Sequence, residues 1–334
     1  MDTDNHSDPG SLGGLHHVTA ITADASRNVA FYTRALGMRL VKRTVNQDDV
    51  SAYHLFYADA GGRPGTDLTF FDWSFAAPNR PGVGTVDRTS LRVPGASLGW
   101  WSDRFERLSI PHEPVFRRRG GGVLAFADPE GQRLELVADD GAVLPGGEPW
   151  TGGGVPPEHG VRGLFGVTLC VAAMEPTERI LTQVMGFRRI PDEEPAEPGR
   201  GFVALFEVGP GGPGAEVRVL VPAAAEGGHP GRGGVHHVAF RTPTVATQEL
   251  WLEKLHAARV ATTPLIDRFY FSSLYFREPG GVLFEIATDG PGFAVDEPAG
   301  SLGQSLALPP FLEPRRREIE AGLRPIAEPT GQYA

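Results

Sequence analysis

The segment from Gly234 to Asp289 decides the fold of this chain of 334 residues. It opens with GVHHVAFRT (234–242), an alternating pattern that predicts a short strand. TVATQELWLEKLHAARV (244–260) has apolar residues at helical spacing, and FYFSSLYFREPGG followed by VLFEIATD (269–289) predicts two strands joined by a proline–glycine turn. The unit is therefore a strand, a helix and then several strands.

The same order of elements recurs three more times along the chain, at 15–73, 86–139 and 162–222. The closing hairpin of the second copy, DPEGQRLELVAD, aligns with EPGGVLFEIATD of the fourth, and this register sets Glu135 against Glu285. A single unit exposes one face of its strands and has to pair with another unit. Four β-α-β-β-β modules of about 55 residues therefore predict an α+β fold with two barrel-like domains.

The predicted boundaries follow from these repeats and from LPGGEPWTGGGVPPEHG, whose glycines and prolines make it the best candidate for a linker. They are 12–80 for module 1, 81–143 for module 2, 144–160 for the linker, 161–224 for module 3, 233–292 for module 4 and 293–334 for the C-terminal tail. The turns of four such modules also account for most of the 44 glycines and 30 prolines.

The composition excludes several classes of function. The net charge is −10, and the sequence shows no stripe of basic residues. The RRR runs at 117–119 and 315–317 are interpreted as solvent-exposed surface. No nucleic-acid partner is therefore expected. The single cysteine, Cys170, excludes an intramolecular disulfide and is expected in the core. An acidic, polar N-terminus and the lack of an apolar run of about 18 residues predict a cytoplasmic protein without a membrane partner.

Two matched histidine pairs are the clearest indication of a chemical site in the sequence. His16-His17 opens module 1 and His236-His237 opens module 4, each between an apolar residue and a valine. Alternation along a strand points one histidine of each pair into the curved sheet. Glu285 stands in the apolar run VLFEIA, where a carboxylate is costly to bury without a partner. A divalent metal ion would supply that partner.

Two imidazoles and one carboxylate leave coordination positions open, which suits Fe(II) and O2 chemistry. The ligand set by itself is also compatible with Mn(II), or with Zn(II) that binds water. Glu135 is interpreted as a remnant of duplication because its module opens without a histidine, and His54 as a structural residue. The other histidines are interpreted as surface residues: His6, His112, His159, His229 and His256.

The segments LHHVT, FYTRALGMRLVKRTVNQDD and DRFYFSSLYFREPGGVLFEIATD resemble the vicinal oxygen chelate superfamily, which includes glyoxalases and extradiol dioxygenases. Within it they resemble the hydroquinone-type ring-cleaving dioxygenases, and the resemblance covers nearly the whole chain. It implies that the two barrel-like domains are vicinal oxygen chelate domains. It also implies that Fe(II) is bound by His17, His237 and Glu285, and that Arg268 and Tyr275 are catalytic residues beside the substrate.

The resemblance also places Thr19 in the substrate pocket. We assign His16 and His236 to substrate binding as well, although alternation points both of them away from the metal. The ligand positions imply that modules 1 and 4 share the metal-bearing barrel and that modules 2 and 3 pair with each other.

The predicted function is Fe(II)-dependent cleavage of a hydroquinone- or catechol-type ring, with the aromatic diol and O2 as partners and a homo-oligomer left open. One alternative is a glyoxalase-type isomerase or lyase, which needs a second carboxylate on the metal. Aligning PGTDLTFF (64–71) with PGGVLFEI (279–286) puts Phe70 at that position, with Asp72 two residues further on. The other alternative is a binding protein of the same fold without catalysis.

Overall fold

The protein is described from a computed structural model over residues 10–119, 121–140, 146–193 and 199–327. Strands dominate these ranges, and they form two eight-stranded mixed sheets. Each sheet is curled into a half-barrel with its helices on the outside. The predicted α+β fold of four modules in two domains is confirmed.

The four modules repeat one order of elements. Module 1 contains β1 (Leu15–Thr22), α1 (Ala25–Ala30), β2 (Arg39–Val45), β3 (Tyr53–Ala58) and β4 (Asp67–Asp72). Module 2 contains β5 (Thr85–Val93), α2 (Leu98–Arg107), β6 (Phe116–Arg118), β7 (Gly121–Ala127) and β8 (Arg133–Ala138).

The second half of the chain follows the same plan. Module 3 contains β9 (Leu164–Cys170), α3 (Met174–Arg179), β10 (Arg188–Glu193), β11 (Gly201–Glu207) and β12 (Glu216–Pro222). Module 4 contains β13 (Gly234–Thr242), α4 (Val245–Ala257), β14 (Ile266–Asp267), β15 (Ser272–Arg277) and β16 (Leu283–Thr288), and the tail contains α5 (Arg316–Gly322). Short π-helical turns, Phe31–Ala35 and Ile180–Val184, extend α1 and α3.

The strand order decides which modules share a sheet. The first sheet runs β14-β15-β16-β13-β1-β4-β3-β2, and the second runs β10-β11-β12-β9-β5-β8-β7-β6. Strands of modules 1 and 4 thus form the first sheet through the antiparallel pair β1–β13, and strands of modules 2 and 3 form the second through β5–β9. The module boundaries stay predictions, and residues 141–145, which span the predicted boundary between module 2 and the linker, lie outside the described ranges.

The helices α1 and α4 begin at side-chain caps, and α4 packs by its apolar face. The Asp24 side chain accepts a hydrogen bond from the Arg27 amide at the start of α1, and Thr244 forms a capping box with Thr247 at the start of α4. Trp251 and Leu255 of α4 are buried against the first sheet. With 13 residues α4 is the longest helix, and no helix in the described ranges is long and apolar enough to cross a membrane.

Two hairpin turns connect the sheets. The carboxylate of Glu130, in the turn before β8, accepts a hydrogen bond from the Ala23 amide of module 1. The carboxylate of Glu278, in the turn before β16, accepts one from the Thr177 hydroxyl of module 3 at 2.8 Å. Gly281 completes that second turn with φ +104°, a left-handed conformation that favours glycine. The strand that bears Glu285 is therefore anchored in the other domain.

The structure revises some of the assignments to the surface. His229 and His256 are exposed as predicted, whereas His112 and His159 are half-buried. The RRR run at 117–119 is not a uniformly solvated face, because the side chain of Arg118 is 11% exposed and pairs with Glu135. Cys170 is a buried free cysteine as predicted, and His6 lies outside the described residues.

A buried carboxyl in the second sheet gives the protein a predicted pH dependence. Burial, followed by the charge of Glu207, raises the pKa of Glu216 to about 7 from 4.5. Between these values the folded chain holds a proton that the unfolded chain has lost, so stability falls as pH rises from about 4.5 to about 7. We expect Glu216→Gln to be more stable than the native chain by up to about 3 kcal/mol at pH 8 and equally stable near pH 4.5.

Urea unfolding at the two pH values measures this difference. Glu249→Gln, which changes an exposed glutamate of α4, is the matched control and should have no effect at either pH. An equal gain of Glu216→Gln at both pH values would contradict the prediction.

Candidate metal centre

Three buried side chains of the first sheet converge on one point. They are His17 on β1, His237 on β13 and Glu285 on β16, and their ligand atoms all lie within 4.8 Å of one another. His17 Nε2 lies 3.2 Å from His237 Nε2, and Glu285 Oε2 lies 3.3 Å and 2.9 Å from these two nitrogens. The structure thus brings together the three predicted metal ligands.

The strand register explains why these residues meet. β13 pairs in parallel with β16, and Ala239 lies opposite Glu285. His237 is two residues before Ala239 and therefore shares its face. β1 pairs antiparallel with β13, and Thr19 lies opposite His237, so His17 comes onto the same concave surface. One ligand comes from module 1 and two come from module 4.

The carboxylate of Glu285 fits a cation. Its two oxygens are buried, and Oε2 faces the Nε2 atoms of His17 and His237. Burial would raise the pKa of Glu285, but the neighbouring imidazole of His17 lowers it well below its usual value. Burial also lowers the pKa of His237, which favours the neutral ring that a metal requires. A buried carboxylate beside two imidazole nitrogens could hold a divalent metal ion.

The first histidines of the two pairs lie in β-bulges. Between Leu15 and His17, and between Val235 and His237, the β1–β13 register skips one residue, which is His16 in the first case and His236 in the second. A bulge re-aims its side chain. The Nδ1 atoms of His16 and His17 are consequently 2.8 Å apart, as are those of His236 and His237. Simple alternation, which predicts opposite directions for the members of each pair, is therefore wrong at these positions.

The contacts of His16 fix the proton on His17. His16 Nε2 lies 3.1 Å from the carbonyl oxygen of Thr288, which can only accept, so His16 carries its proton on Nε2. Burial and the neighbouring His17 lower the pKa of His16 to about 3, so the ring is neutral at pH 7 and its Nδ1 accepts. His17 Nδ1 is then the donor, and the lone pair of His17 Nε2 is left free for a metal.

His236 is the half-buried counterpart of His16. Burial and the adjacent His237 lower the pKa of His236 to about 3. Its ring makes edge contacts with Phe71 and Trp73, both at 5.5 Å between ring centroids. Neither His16 nor His236 lines the cavity described next, so their assignment to substrate binding stays a prediction.

A cavity of about 40 Å³ opens beside the ligand atoms. Its walls come from residues 44–48, from the loop with Arg268 and Phe271, and from the ring of Tyr275. The guanidinium of Arg268 donates to both carboxylate oxygens of Asp48, at 3.1 and 2.8 Å. This ion pair joins the two sides of the cavity.

Tyr275 lies directly behind the candidate ligands. It faces Glu285 across the β15–β16 pair, and its ring packs edge-on against the ring of His237, with 5.5 Å between centroids. Burial and the charge of Glu285 raise the pKa of its hydroxyl well above the usual value. The phenol is therefore protonated at neutral pH. Arg268 lies 5.8 Å from the centre of the Tyr275 ring, so both predicted catalytic residues are at the cavity.

Thr19 is connected to the cavity through hydrogen bonds between neighbouring side chains. Its hydroxyl lies 2.8 Å from that of Thr69, which lies 3.0 Å from His54 Nε2. His54 lines the cavity, so its interpretation as a purely structural residue was incomplete. Gln47 and Asp48 were also missed as cavity residues, although the segment that contains them was part of the resemblance. The role of Thr19 in substrate binding stays a prediction.

The structure shows that the sequence alignment selected the wrong residue of module 1 as the equivalent of Glu285. Thr69 pairs with Thr19 on β1 as Glu285 pairs with Ala239 on β13, so Thr69 and not Phe70 is the counterpart. Phe70 is buried in the apolar core. Asp72 is three residues beyond Thr69 and pairs with Arg324. Module 1 therefore contributes no carboxylate at this position.

The second sheet has other residues at the positions of the two histidine ligands. Its central pair β5–β9 has matching bulges at Asp87 and Phe165, so Arg88 stands where His237 stands in the first sheet and Gly166 where His17 stands. Glu135 pairs with Ser90 as Glu285 pairs with Ala239.

Guanidinium groups surround the carboxylate of Glu135. Arg118 donates to its two oxygens at 3.1 and 2.9 Å, and Arg88 Nη1 lies 3.5 Å from Oε1. Burial would raise the pKa of Glu135, but Arg118 lowers it to about 2. Guanidinium groups take the place that a metal ion would take in the first sheet.

Comparison with known proteins agrees with this architecture. Residues 14–136 and 163–286 match the profile of the family described as "Glyoxalase/Bleomycin resistance protein/Dioxygenase superfamily". The chain is 45% identical over 316 residues to "Putative ring-cleaving dioxygenase MhqA" of Bacillus subtilis (strain 168), an alignment that covers 94% of this chain and 99% of the relative. It is 30% identical to "Chlorohydroquinone/hydroquinone 1,2-dioxygenase" of Sphingobium indicum over 96% of this chain and 98% of the relative.

A solved structure extends the comparison to three dimensions. The crystal structure of a protein described as "putative dioxygenase" from Bacillus subtilis subsp. subtilis str. 168 has a TM-score of 0.85 and 37% identity, and it covers 95% of this chain and 99% of its own. The family profile matches both halves of the chain, and these relatives align with almost all of it. The chain therefore belongs to the glyoxalase/bleomycin resistance protein/dioxygenase superfamily.

Proposed function

We propose that this protein is an Fe(II)-dependent dioxygenase that cleaves the ring of a hydroquinone-type aromatic diol, with catechols as the second substrate class and Mn(II) as the second candidate metal. The observation that supports it most is the buried cluster of His17, His237 and Glu285, in which a buried carboxylate lies against two imidazole nitrogens. The names of the relatives, a ring-cleaving dioxygenase and a hydroquinone 1,2-dioxygenase, support the reaction class.

His17, His237 and Glu285 would hold the metal ion, and three protein ligands would leave coordination positions open for substrate and O2. Fe(II), when bound, would supply a Lewis acid that lowers the pKa of a substrate phenol and a path for electrons from the ring to O2. His16 keeps His17 in the tautomer that presents Nε2 to the metal. The rings of Phe271 and Phe71, which line the cavity, exclude water and give a flat aromatic substrate apolar contact.

Tyr275 and Arg268 are the proposed catalytic residues. Because the Tyr275 phenol stays protonated at neutral pH, it can donate a proton to an oxygen that gains negative charge during ring opening. The guanidinium of Arg268 is held in place by its two bonds to Asp48 and stabilises that negative charge. Thr19, His54 and Thr69 form a hydrogen-bonded row behind the cavity that orients the His54 ring.

The glyoxalase-type alternative lacks its second carboxylate. Its chemistry needs an acidic residue at the position that Thr69 occupies, and the nearby Asp72 side chain is directed to Arg324 instead. A binding protein without catalysis has no need for a buried carboxylate between two histidines. The iron-dependent ring cleavage is therefore the function that the site supports best.

An oxygen-uptake assay tests the proposal. After anaerobic loading with Fe(II), we expect hydroquinone or catechol to consume one O2 per ring, with loss of the aromatic absorbance. His237→Ala should be inactive because it removes a metal ligand. Tyr275→Phe should keep its iron but lose about 100-fold or more in kcat, because it removes only the proton donor.

His229→Ala is the matched control, since it changes an exposed histidine far from the cluster, and it should be as active as the native chain. Uptake that persists in His237→Ala would overturn the proposal. Turnover of a glutathione hemithioacetal with Ni(II) or Zn(II), without any diol-dependent O2 uptake, would support the isomerase. The absence of any bound metal would support the binding protein.

A further inference from the structure

The imidazole of His54, on β3, is hydrogen-bonded to the described part of the protein through only one of its two nitrogens. Its Nε2 atom lies 3.0 Å from the Thr69 hydroxyl, and the residue lines the cavity beside the candidate metal centre. Its Nδ1 atom makes no hydrogen bond to a residue within the described ranges. Polar atoms inside a protein are normally bonded to protein or to water. Nδ1 is therefore available to a molecule that displaces water from the cavity.

The ring of His54 is held in a fixed orientation. It packs against the rings of Phe56 and Phe71, with 3.9 Å and 4.4 Å between centroids. Thr69, the partner of Nε2, is itself 2.8 Å from the hydroxyl of Thr19. These contacts fix the direction of Nδ1 before a ligand arrives, and a group that is ordered in advance binds at a lower entropic cost.

The strand order places His54 and Tyr275 on opposite sides of the candidate ligands. The ligands are on the neighbouring strands β16, β13 and β1, whereas Tyr275 is on β15 and His54 is on β3, which β4 separates from β1. Strands β1 and β3 are about 10 Å apart along the sheet, because neighbouring strands are about 4.8 Å apart. A diol with hydroxyls at opposite ends of its ring can reach from the ligands to His54. The adjacent hydroxyls of a catechol both stay near the ligands.

A phenolic hydroxyl fits the Nδ1 atom of His54 in either tautomer. Burial lowers the pKa of His54 well below its usual value, so the ring is neutral, with one nitrogen that donates and one that accepts. Nδ1 accepts if Nε2 donates to Thr69, and it donates if the Thr69 hydroxyl donates to Nε2. A substrate hydroxyl can take either role, whereas a hydrogen atom or a methyl group at the same ring position can take neither.

We propose that His54 is a specificity-determining residue of this site, and this inference rests on the proposed function. Its Nδ1 atom binds the hydroxyl of the diol that points away from the metal, and it thereby favours hydroquinones over catechols. Without this bond the hydroxyl would leave water for the rings of Phe56 and Phe71, which also line the cavity. A site that hydrogen-bonds a substrate hydroxyl discriminates against an analogue that lacks it.

Anaerobic titration calorimetry of the Fe(II)-loaded chain measures this bond without turnover. We expect the native chain to bind hydroquinone at least about tenfold more tightly than phenol, which lacks the second hydroxyl. In His54→Leu the two ligands should bind within about threefold of each other. Oxygen uptake gives a second readout, since the ratio of kcat/KM for hydroquinone to kcat/KM for catechol should fall at least about tenfold in His54→Leu.

Two further variants separate substrate recognition from a structural role. Asparagine has the shape of leucine but keeps a polar atom at the position of Nδ1, whereas glutamine keeps one at the position of Nε2, which contacts Thr69. We expect His54→Asn to recover part of the preference for hydroquinone and His54→Gln not to recover it. The control is His256→Leu, which changes an exposed histidine of α4 and should keep the native preference. Elemental analysis and circular dichroism check that all variants hold iron and are folded.

Three results would overturn the proposal in a chain that consumes O2 with a diol. They are a native chain that binds phenol as tightly as hydroquinone, an unchanged preference for hydroquinone in His54→Leu, and a preference that His54→Gln recovers but His54→Asn does not. The last result would mean that the bond to Thr69 alone matters. A native chain that consumes no O2 with any diol would instead contradict the proposed function, and this inference with it.

Discussion

Replacement of Glu285 by glutamine is expected to abolish stable metal binding, with at least about a 100-fold loss of metal affinity. The amide keeps the size of the side chain but removes the negative charge that the two imidazoles cannot supply. A metal at 100 times its Kd stabilises the native chain by about 2.7 kcal/mol, and the variant should lose this increment. Anaerobic thermal unfolding with and without Fe(II), together with elemental analysis, measures both effects.

The control for this experiment is Glu253→Gln on α4, which changes an exposed glutamate and should keep the full metal-dependent increment. Diol-dependent O2 uptake should fall with the metal content. A Glu285→Gln chain that still binds one metal ion and gains the same stability from it would contradict the assignment of Glu285 as a ligand.

Replacement of Glu135 by glutamine should destabilise the metal-free protein by about 3–5 kcal/mol, because it removes the buried carboxylate that pairs with the guanidinium groups of Arg118 and Arg88. Ser90 also loses a charged acceptor, since its hydroxyl donates to Glu135 Oε2 at 2.8 Å. Urea unfolding at pH 7 measures the loss. Glu285→Gln in the absence of metal is the paired comparison and should lose less, because no guanidinium group depends on Glu285.

The effect of Glu135→Gln should also depend on pH. The pKa of Glu135 is lowered to about 2 from 4.5, so its contribution to stability is complete above pH 4.5 and is lost as pH falls toward 2. Native and variant chains should therefore converge in acid. A difference that stays constant from pH 7 to pH 3 would contradict an ionic origin.

The two sheets thus use one glutamate position in two ways. In the first sheet the buried carboxylate faces imidazoles and could hold a metal, whereas in the second it faces guanidinium groups of the same chain. Metal removal should therefore affect the first sheet alone. The turn before β16 links the two sheets. In this turn the carboxylate of Glu278 accepts a hydrogen bond from Thr177 of module 3, and this contact supports the strand that carries Glu285.

The sequence alone determined the four modules and the fold class, and it indicated a metal site made of one histidine from each pair and Glu285, whereas the choice of His17 and His237 came from the family resemblance. These features depend on local alternation, helical spacing and turn residues, which repeat visibly along the chain. The assignment of Arg268 and Tyr275 to the same site relied on the family resemblance. Composition and spacing by themselves would have left both as ordinary strand and surface residues.

Only the tertiary structure decided the finer geometry. The bulges at His16 and His236 turn both rings toward the ligand histidines. Thr69 follows Pro64 by five residues whereas Glu285 follows Pro279 by six, so an alignment of the two Pro-Gly pairs selects Phe70 instead of Thr69 as the counterpart of Glu285. A shift of one residue moves a side chain to the opposite face of a sheet, and neither feature is visible in the alternation. His54 on β3 is not on a strand adjacent to those of the ligands, and Arg118 on β6 is separated from Glu135 on β8 by β7, so only the curvature of the sheets brings these groups together.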